Sequence, residues 1–312
     1  MKRLFFPLII FVLILSGCSN AVQTKGENAN EKTKKLHIVT TFYPIYFFTQ
    51  QVAGSAANVE LLIPNGVEPH DWDPTAKDMA KIQDADLFIY NSRYFETWAE
   101  KVLKSINQSN LKVIEASKGI ELINADSEEQ DHHSEHSTSK DPHVWLSPLL
   151  AGQEVDTIAQ AIEKRDPKNK ELYQKNAEAF KSQLSELDRL YKATVVQAKN
   201  KEFVTQHAAF GYLAKQYGLT QIAIAGLSPD VEPSLGKLKE LTDLTKKKNV
   251  KIIYFEGLTS SKVAQTLANE IGAKTEVLNP LEGLTKEEQQ KGMNYIDVMK
   301  KNLESLKKSL LD

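Results

Sequence analysis

KNKELYQKNAEAFKSQLSELDRLYKATVVQAK, residues 168–199, runs without a glycine or a proline. A helix over this stretch would be about 45 Å long at 1.5 Å per residue, which is unusual inside a small domain. Its apolar positions (Leu172, Ala179, Leu184, Leu187, Leu190, Val195) are spread among wide polar intervals. The stretch therefore reads as a rigid connector, and it divides the chain in two.

On its amino-terminal side, apolar runs at Leu36–Thr41, Val59–Ile63, Leu87–Tyr90 and Leu111–Ile114 read as short buried strands. Tyr46–Val52, Thr75–Gln83 and Phe95–Ile106 have helical spacing, and another helix is expected from Leu149 to Lys164, ended by Asp166-Pro167. On the carboxyl side the alternation restarts. Strands are expected at Glu202–Thr205, Thr220–Ala225, Lys251–Phe255 and Glu276–Leu278, and helices at Phe210–Tyr217, Leu235–Lys247, Ser261–Ile271 and Thr285–Leu310. Strand–helix alternation implies parallel sheets with helices on their faces. The expected fold is α/β: two parallel-sheet lobes, 36–166 and 201–312, joined by one long rigid helix within 167–200. No sequence repeat relates the lobes.

The remaining segments bear on location. Lys2 and Arg3 precede an apolar run from Leu4 to Leu15. A bilayer span needs about 20 apolar residues, so this shorter run reads as an export signal over residues 1–17. It ends Leu15-Ser16-Gly17-Cys18, and Cys18 is the only cysteine, so no intramolecular disulfide can form. Residues 18–35 are polar and read as a flexible tether. Residues 126–140 are polar too, and contain His132, His133 and His136; a surface loop with weak affinity for Zn²⁺ is expected there. A net charge of −2 argues against a general nucleic-acid binder.

Three other histidines stand in Pro-containing or strand-end settings: His70 in VEPHDWDP, His143 in DPHVWLSP and His207 in FVTQHAAFGY. Glu282 stands in LNPLEGL. His70, His207 and Glu282 each follow an expected strand, where ligands bind in open parallel sheets. Three imidazoles and a carboxylate suit a four-coordinate Zn²⁺ held in the cleft between lobes. Asp71 and Asp141 are candidate partners for the other imidazole nitrogens, and Trp72 and Trp145 candidate walls against water. His37, at the edge of the first strand, is expected to be structural.

These motifs, with TTFYPIYFFTQQVAG, GVEPHDWDPTAKDMAKIQDADLFIYN and GLSPDVEPS, support a resemblance over essentially the whole mature chain. The sequence resembles the solute-binding lipoproteins of ABC importers for zinc and manganese (the cluster A-I metal-binding family), and within them the zinc-specific, ZnuA/AdcA-like branch. The resemblance implies two lobes on one long helix with the ion between them. It also implies ligand roles for His70, His143 and His207, lipid on Cys18, and an anchored position on the extracytoplasmic side of the cell membrane. The implied partners are an ABC permease and its ATPase, and the protein is expected to be a monomer and not an enzyme. Relatives fill the fourth position with a carboxylate from this loop or with water, and PLEGL points to Glu282. The manganese branch has glutamate at the third histidine, so His207 favours zinc. Some relatives carry a further zinc-binding C-terminal domain, which this chain, ending at Asp312, is expected to lack. Rival readings are a manganese-binding importer component, a zinc hydrolase and a surface adhesin. The hydrolase would need an open coordination position for water, and the sequence has no HExxH motif.

Overall fold

The computed structural model describes residues 35–107, 109–124, 140–229 and 233–312. The export signal, Cys18, the tether before Lys35, and His132, His133 and His136 lie outside the described residues. Residues 35–312 form one contact unit.

The first lobe contains β1 (Leu36–Thr40), α1 (Tyr43–Ala53), β2 (Ala57–Leu61), α2 (Ala76–Gln83), β3 (Leu87–Tyr90), α3 (Ala99–Ser105), β4 (Lys112–Glu115) and α4 (Pro148–Arg165). Its four strands are all parallel, in the order β2-β1-β3-β4. Successive strand residues point to opposite faces, and both faces are covered. Ile38 and Leu87 enter one core, while Val39 and Phe88 enter another with Ile82 and Trp98.

A long helix, α5 (Lys170–Val196), leads to the second lobe: β5 (Glu202–Thr205), α6 (Gly211–Tyr217), β6 (Thr220–Ala223), α7 (Leu235–Lys247), β7 (Ile252–Phe255), α8 (Lys262–Ile271), β8 (Lys274–Val277), α9 (Lys286–Gln290) and α10 (Tyr295–Leu310). Its strand order, β6-β5-β7-β8, repeats the crossover pattern of the first sheet. The halves thus share a topology that their sequences do not display.

The connector is real but is not a bare strut. The 27 residues of α5 span about 40 Å. Asn176 donates to the carbonyl of Val52 at the end of α1 (3.0 Å). Beyond the far end, the backbone N–H of Lys199 donates to Leu310 of the last helix (2.8 Å). The buried stripe is Tyr173, Ala177, Phe180, Leu184, Leu187, Tyr191 and Val195, a 3–4 spacing that faces one side of a helix. Leu172, read from the sequence as part of the apolar set, is 40% exposed, and Ala179 is exposed too. Tyrosines fill their places because each hydroxyl has a partner: Tyr173 donates to Asp166 (2.6 Å) and Tyr191 to the carbonyl of Met299 (2.8 Å).

Two other expectations change. The helix expected over Thr285–Leu310 is two helices, broken at Gly292 with φ 63° and restarted by a capping box on Asn294. The helix expected from Phe95 starts at Ala99. The buried Glu96 carboxylate instead binds the backbone N–H groups of Asn91 (3.0 Å) and Ser92 (2.9 Å), holding a turn.

Candidate metal centre

Both sheets turn their carboxyl ends toward one site. His70 follows β2 through a turn closed by the Val67 N–H on Pro64 (3.2 Å). Gly66 has φ 87° there, a backbone that glycine adopts without steric cost. The His70 N–H donates to Oε1 of Glu68 (2.9 Å). His143 sits between the loop after β4 and α4. Asn91, following β3, donates to the carbonyl of Pro142 (2.9 Å), and Ser147 caps α4. His207 comes two residues after β5, its carbonyl accepting from Thr205 (2.8 Å) and Gln221 (2.9 Å).

Glu282 follows β8 on a loop whose shape is forced. Leu281 has φ 61°, a strained backbone for a bulky residue that persists only where its surroundings over-determine it. They do so here. The Leu281 N–H donates to Asn279 Oδ1 (2.7 Å), Asn279 and Asn302 exchange hydrogen bonds (2.8 and 2.7 Å), and Asn279 donates to Glu288 (3.0 Å). From the other side, Leu284 N–H donates to Asn65 of the first lobe (3.2 Å).

The four residues singled out from the sequence meet. One ligand atom from each of His70, His143, His207 and Glu282 lies within 4.8 Å of all the others. Oε1 of Glu282 is 3.4 Å from Nε2 of each histidine. A tetrahedral zinc with ligand bonds of about 2.0–2.1 Å has ligand–ligand edges of about 3.4 Å. His143, His207 and Glu282 are buried, and Nε2 of both histidines and Oε2 of Glu282 have no hydrogen-bond partner. Buried polar atoms left unpaired are costly; one cation would satisfy this set.

The surrounding groups aim the rings. Asp141 Oδ1 lies 2.7 Å from Nδ1 of His143 and also accepts its backbone N–H (2.9 Å). Glu256 Oε1 lies 2.6 Å from Nδ1 of His207. Such contacts leave Nε2 directed into the cluster, toward Glu282. Asp141 thus has the partner role expected of it. Asp71 does not: it is exposed, and no hydrogen bond joins it to His70. Trp145 lies 5.1 Å from the His143 ring, as a wall should, but Trp72 packs instead on Trp98 (5.4 Å). Phe95, 4.8 Å from the His70 ring, takes the place expected of Trp72.

Without an ion, the charges lean on one another. Burial opposes a charged His207, yet Glu256 and then Glu282 lift it to about 10. Burial opposes a charged His143 as well, but Asp141 and Glu282 raise it. Burial works against ionised Glu282, but the charge of His70 and the adjacent His143 and His207 imidazoles hold it well below the usual carboxylate range. Glu68 is pushed up to about 9 by burial and by the nearby Glu282. Glu68 and Glu256 were missed in the sequence. Glu256 carried a signal, since it directly follows β7 at the same sheet end as His207.

Two parallel-sheet lobes on one long helix, with a buried three-histidine, one-carboxylate cluster where they meet, define a metal-binding solute-binding protein. Residues 38–309 match the family model described as zinc-uptake complex component A, periplasmic, and the chain belongs to that family. It is 56% identical over 310 residues to the high-affinity zinc uptake system protein ZnuA of Bacillus subtilis, covering 98% of this chain and 97% of that one. It is 50% identical over 314 residues to the zinc-binding lipoprotein AdcA of Streptococcus pneumoniae strain R6, covering 99% of this chain but 61% of AdcA. The crystal structure of the Zn(II)-bound ZnuA-like domain of Streptococcus pneumoniae AdcA superposes with a TM-score of 0.77 at 49% identity, over 89% of this chain and 100% of that domain.

Proposed function

We propose that this protein is the extracytoplasmic zinc-capturing component of an ABC importer. It takes Zn²⁺ through Nε2 of His70, His143 and His207 and the carboxylate of Glu282, and delivers it to a membrane permease powered by its ATPase. The observation that carries this reading is the common 3.4 Å separation of three imidazole nitrogens from one carboxylate oxygen. Three imidazoles favour zinc over manganese. The Glu282, Glu256 and Asp141 carboxylates supply negative charge around a dication. All four positions of a tetrahedron have a side chain, which suits carriage of the ion rather than catalysis with it.

Residues 1–17 are read as a cleaved signal, Cys18 as the lipid-bearing residue and 18–35 as the tether, so capture takes place at the membrane's outer face. The lobes are bounded at 36–166 and 201–312, with 167–200 between them, and the protein acts as a monomer. His132, His133 and His136 add weak, exchangeable zinc sites beside the tight one.

Elemental analysis of the purified protein, with calorimetric titration of Zn²⁺ and Mn²⁺, tests the proposal. One tight equivalent of zinc is expected, and His143→Ala should weaken it by orders of magnitude. Unchanged zinc affinity in that variant would refute the site. Serine substitution of His132, His133 and His136 should remove weak equivalents only.

A further inference from the structure

Beside His207 lies a small pocket lined in part by His207, Gln206, Glu256, Thr205, Tyr254 and Leu278. Two of its lining residues each have one buried acceptor oxygen with no partner: Oε2 of Glu256 and Oε1 of Gln206. Glu256 is 3% exposed and Gln206 5%. The orientation of Gln206 is fixed, because its Nε2 donates to Oγ1 of Thr259 (3.1 Å) and to the carbonyl of Ser260 (2.9 Å). Turning the amide over would set oxygen against the Ser260 oxygen. Of the other polar side chains of the lining, Thr205 donates to the His207 carbonyl (2.8 Å), Tyr254 donates to that of Ser305 (2.9 Å), and His207 faces Glu256 through Nδ1 (2.6 Å) and Glu282 through Nε2 (3.4 Å). What remains unmet is therefore two acceptors and no donor. The carboxylate excludes an anion. A single water molecule has two donors, one for each of these oxygens.

We infer that this cavity is a solvent site whose ordered water bridges Glu256 and Gln206, and that Glu256, so anchored, is a positioning residue for zinc at His207. The inference rests on the reading of His207 as a zinc ligand. A carboxylate held at one oxygen by His207 and at the other by water cannot rotate away. The Nδ1–H of His207 then stays on Glu256, and its Nε2 lone pair stays on the ion. Partners of this kind govern metal affinity by about ten- to hundredfold.

The test is a high-resolution crystal structure of the zinc-loaded protein, joined to zinc affinities by chelator competition for Glu256→Gln, Gln206→Met and His207→Ala. The proton on Nδ1 of His207, observed by NMR of histidine-labelled zinc-bound protein, supplies a signature that general destabilisation would not move. Density within about 3 Å of both orphan oxygens is expected. Glu256→Gln should shift the downfield proton resonance and weaken zinc by about tenfold or more. Gln206→Met should lose the bridging density and weaken zinc by a smaller factor. A cavity without bridging density overturns the inference. So does a Glu256→Gln protein with unaltered resonance and affinity; if His207→Ala still abolishes tight binding in that case, the ligand assignment stands and only the positioning role falls. Should Gln206→Met not fold, the crystal structure and Glu256→Gln decide alone.

Discussion

Trp145 of the first lobe donates its indole N–H to the carbonyl of Pro280 at 2.8 Å, two residues before Glu282. The bond is buried and is answered from the second lobe, where the Tyr295 hydroxyl donates to the carbonyl of Trp145. The fourth donor of the metal cluster is thus presented by a loop riveted to the opposite lobe. Trp145→Phe keeps an aromatic ring and removes the N–H. The expected result is a loss of about 1 kcal/mol in stability and a five- to tenfold weaker zinc affinity (about 1–1.4 kcal/mol), checked by urea melts and chelator competition.

The raised histidines make capture a proton exchange. In the ion-free protein Glu256 and Glu282 push His207 up to about 10, against its burial, while a zinc-ligating imidazole must be neutral. Between pH 7 and about 10 each zinc bound should release at least one proton, so apparent affinity should rise about tenfold per pH unit. Calorimetry in buffers of different ionisation enthalpy counts the protons. Ion-free stability runs the other way. A raised histidine stabilises fully below the unfolded value of about 6.5 and loses that contribution as pH climbs through about 10. Metal-free protein should therefore melt at lower temperature as pH rises over this window.

Gly211 opens α6, where alanine would ordinarily favour the helix. A Cβ there would stand 2.7 Å from Oδ2 of Asp141 and 3.1 Å from Cδ1 of Ile123. Asp141 has little freedom, because Oδ1 holds both the backbone N–H and Nδ1 of His143 and its carbonyl accepts from Tyr212 (2.7 Å). Gly211→Ala should displace the carboxylate and lower zinc affinity by about tenfold or more, although the residue touches no ligand. Titration of zinc into that variant checks this.

Glu154 lies in α4 with 0% exposure and neither carboxyl oxygen partnered. Burial, and then the nearby Glu96, raise it well above the usual range. Burial also lifts Glu96 to about 7, against its hydrogen bonds with Thr41, Asn91 and Ser92. Both stay protonated in the fold at a pH where the unfolded chain has already ionised. Stability should therefore fall as pH rises past about 4.3, by about 1.4 kcal/mol per pH unit for each group; for Glu96 the loss stops growing near 7. Glu154→Met removes the orphan acceptors at similar size and should stabilise by about 1–3 kcal/mol at pH 7, with zinc affinity unchanged. Thermal melts from pH 5 to pH 8 measure both effects.

The meeting of His70, His143, His207 and Glu282 was legible because strand ends, prolines and scarce histidines mark these residues in one dimension. Its supports were less so. Asp141 was visible two residues before His143, but Glu256 is 49 positions from His207, and only the parallel pairing of β5 with β7 brings them together. Asp71 is nearer still in the chain to His70, its direct neighbour, yet it is exposed. Helix α5 was found but its face was misjudged: aliphatic residues were counted, whereas Tyr173, Phe180 and Tyr191 fill the seam. Tyrosine reads as amphipathic, and its burial depends on partners such as Met299 that no local pattern reveals.

The single oxygen equidistant from three ring nitrogens has a further consequence. Donors held on loops tied down by hydrogen bonds resist spreading outward to admit two more neighbours. A larger cation that prefers six contacts would have to keep part of its water shell or strain the scaffold. Discrimination would then follow from coordination number rather than charge, with the cleft acting as a gauge of geometry.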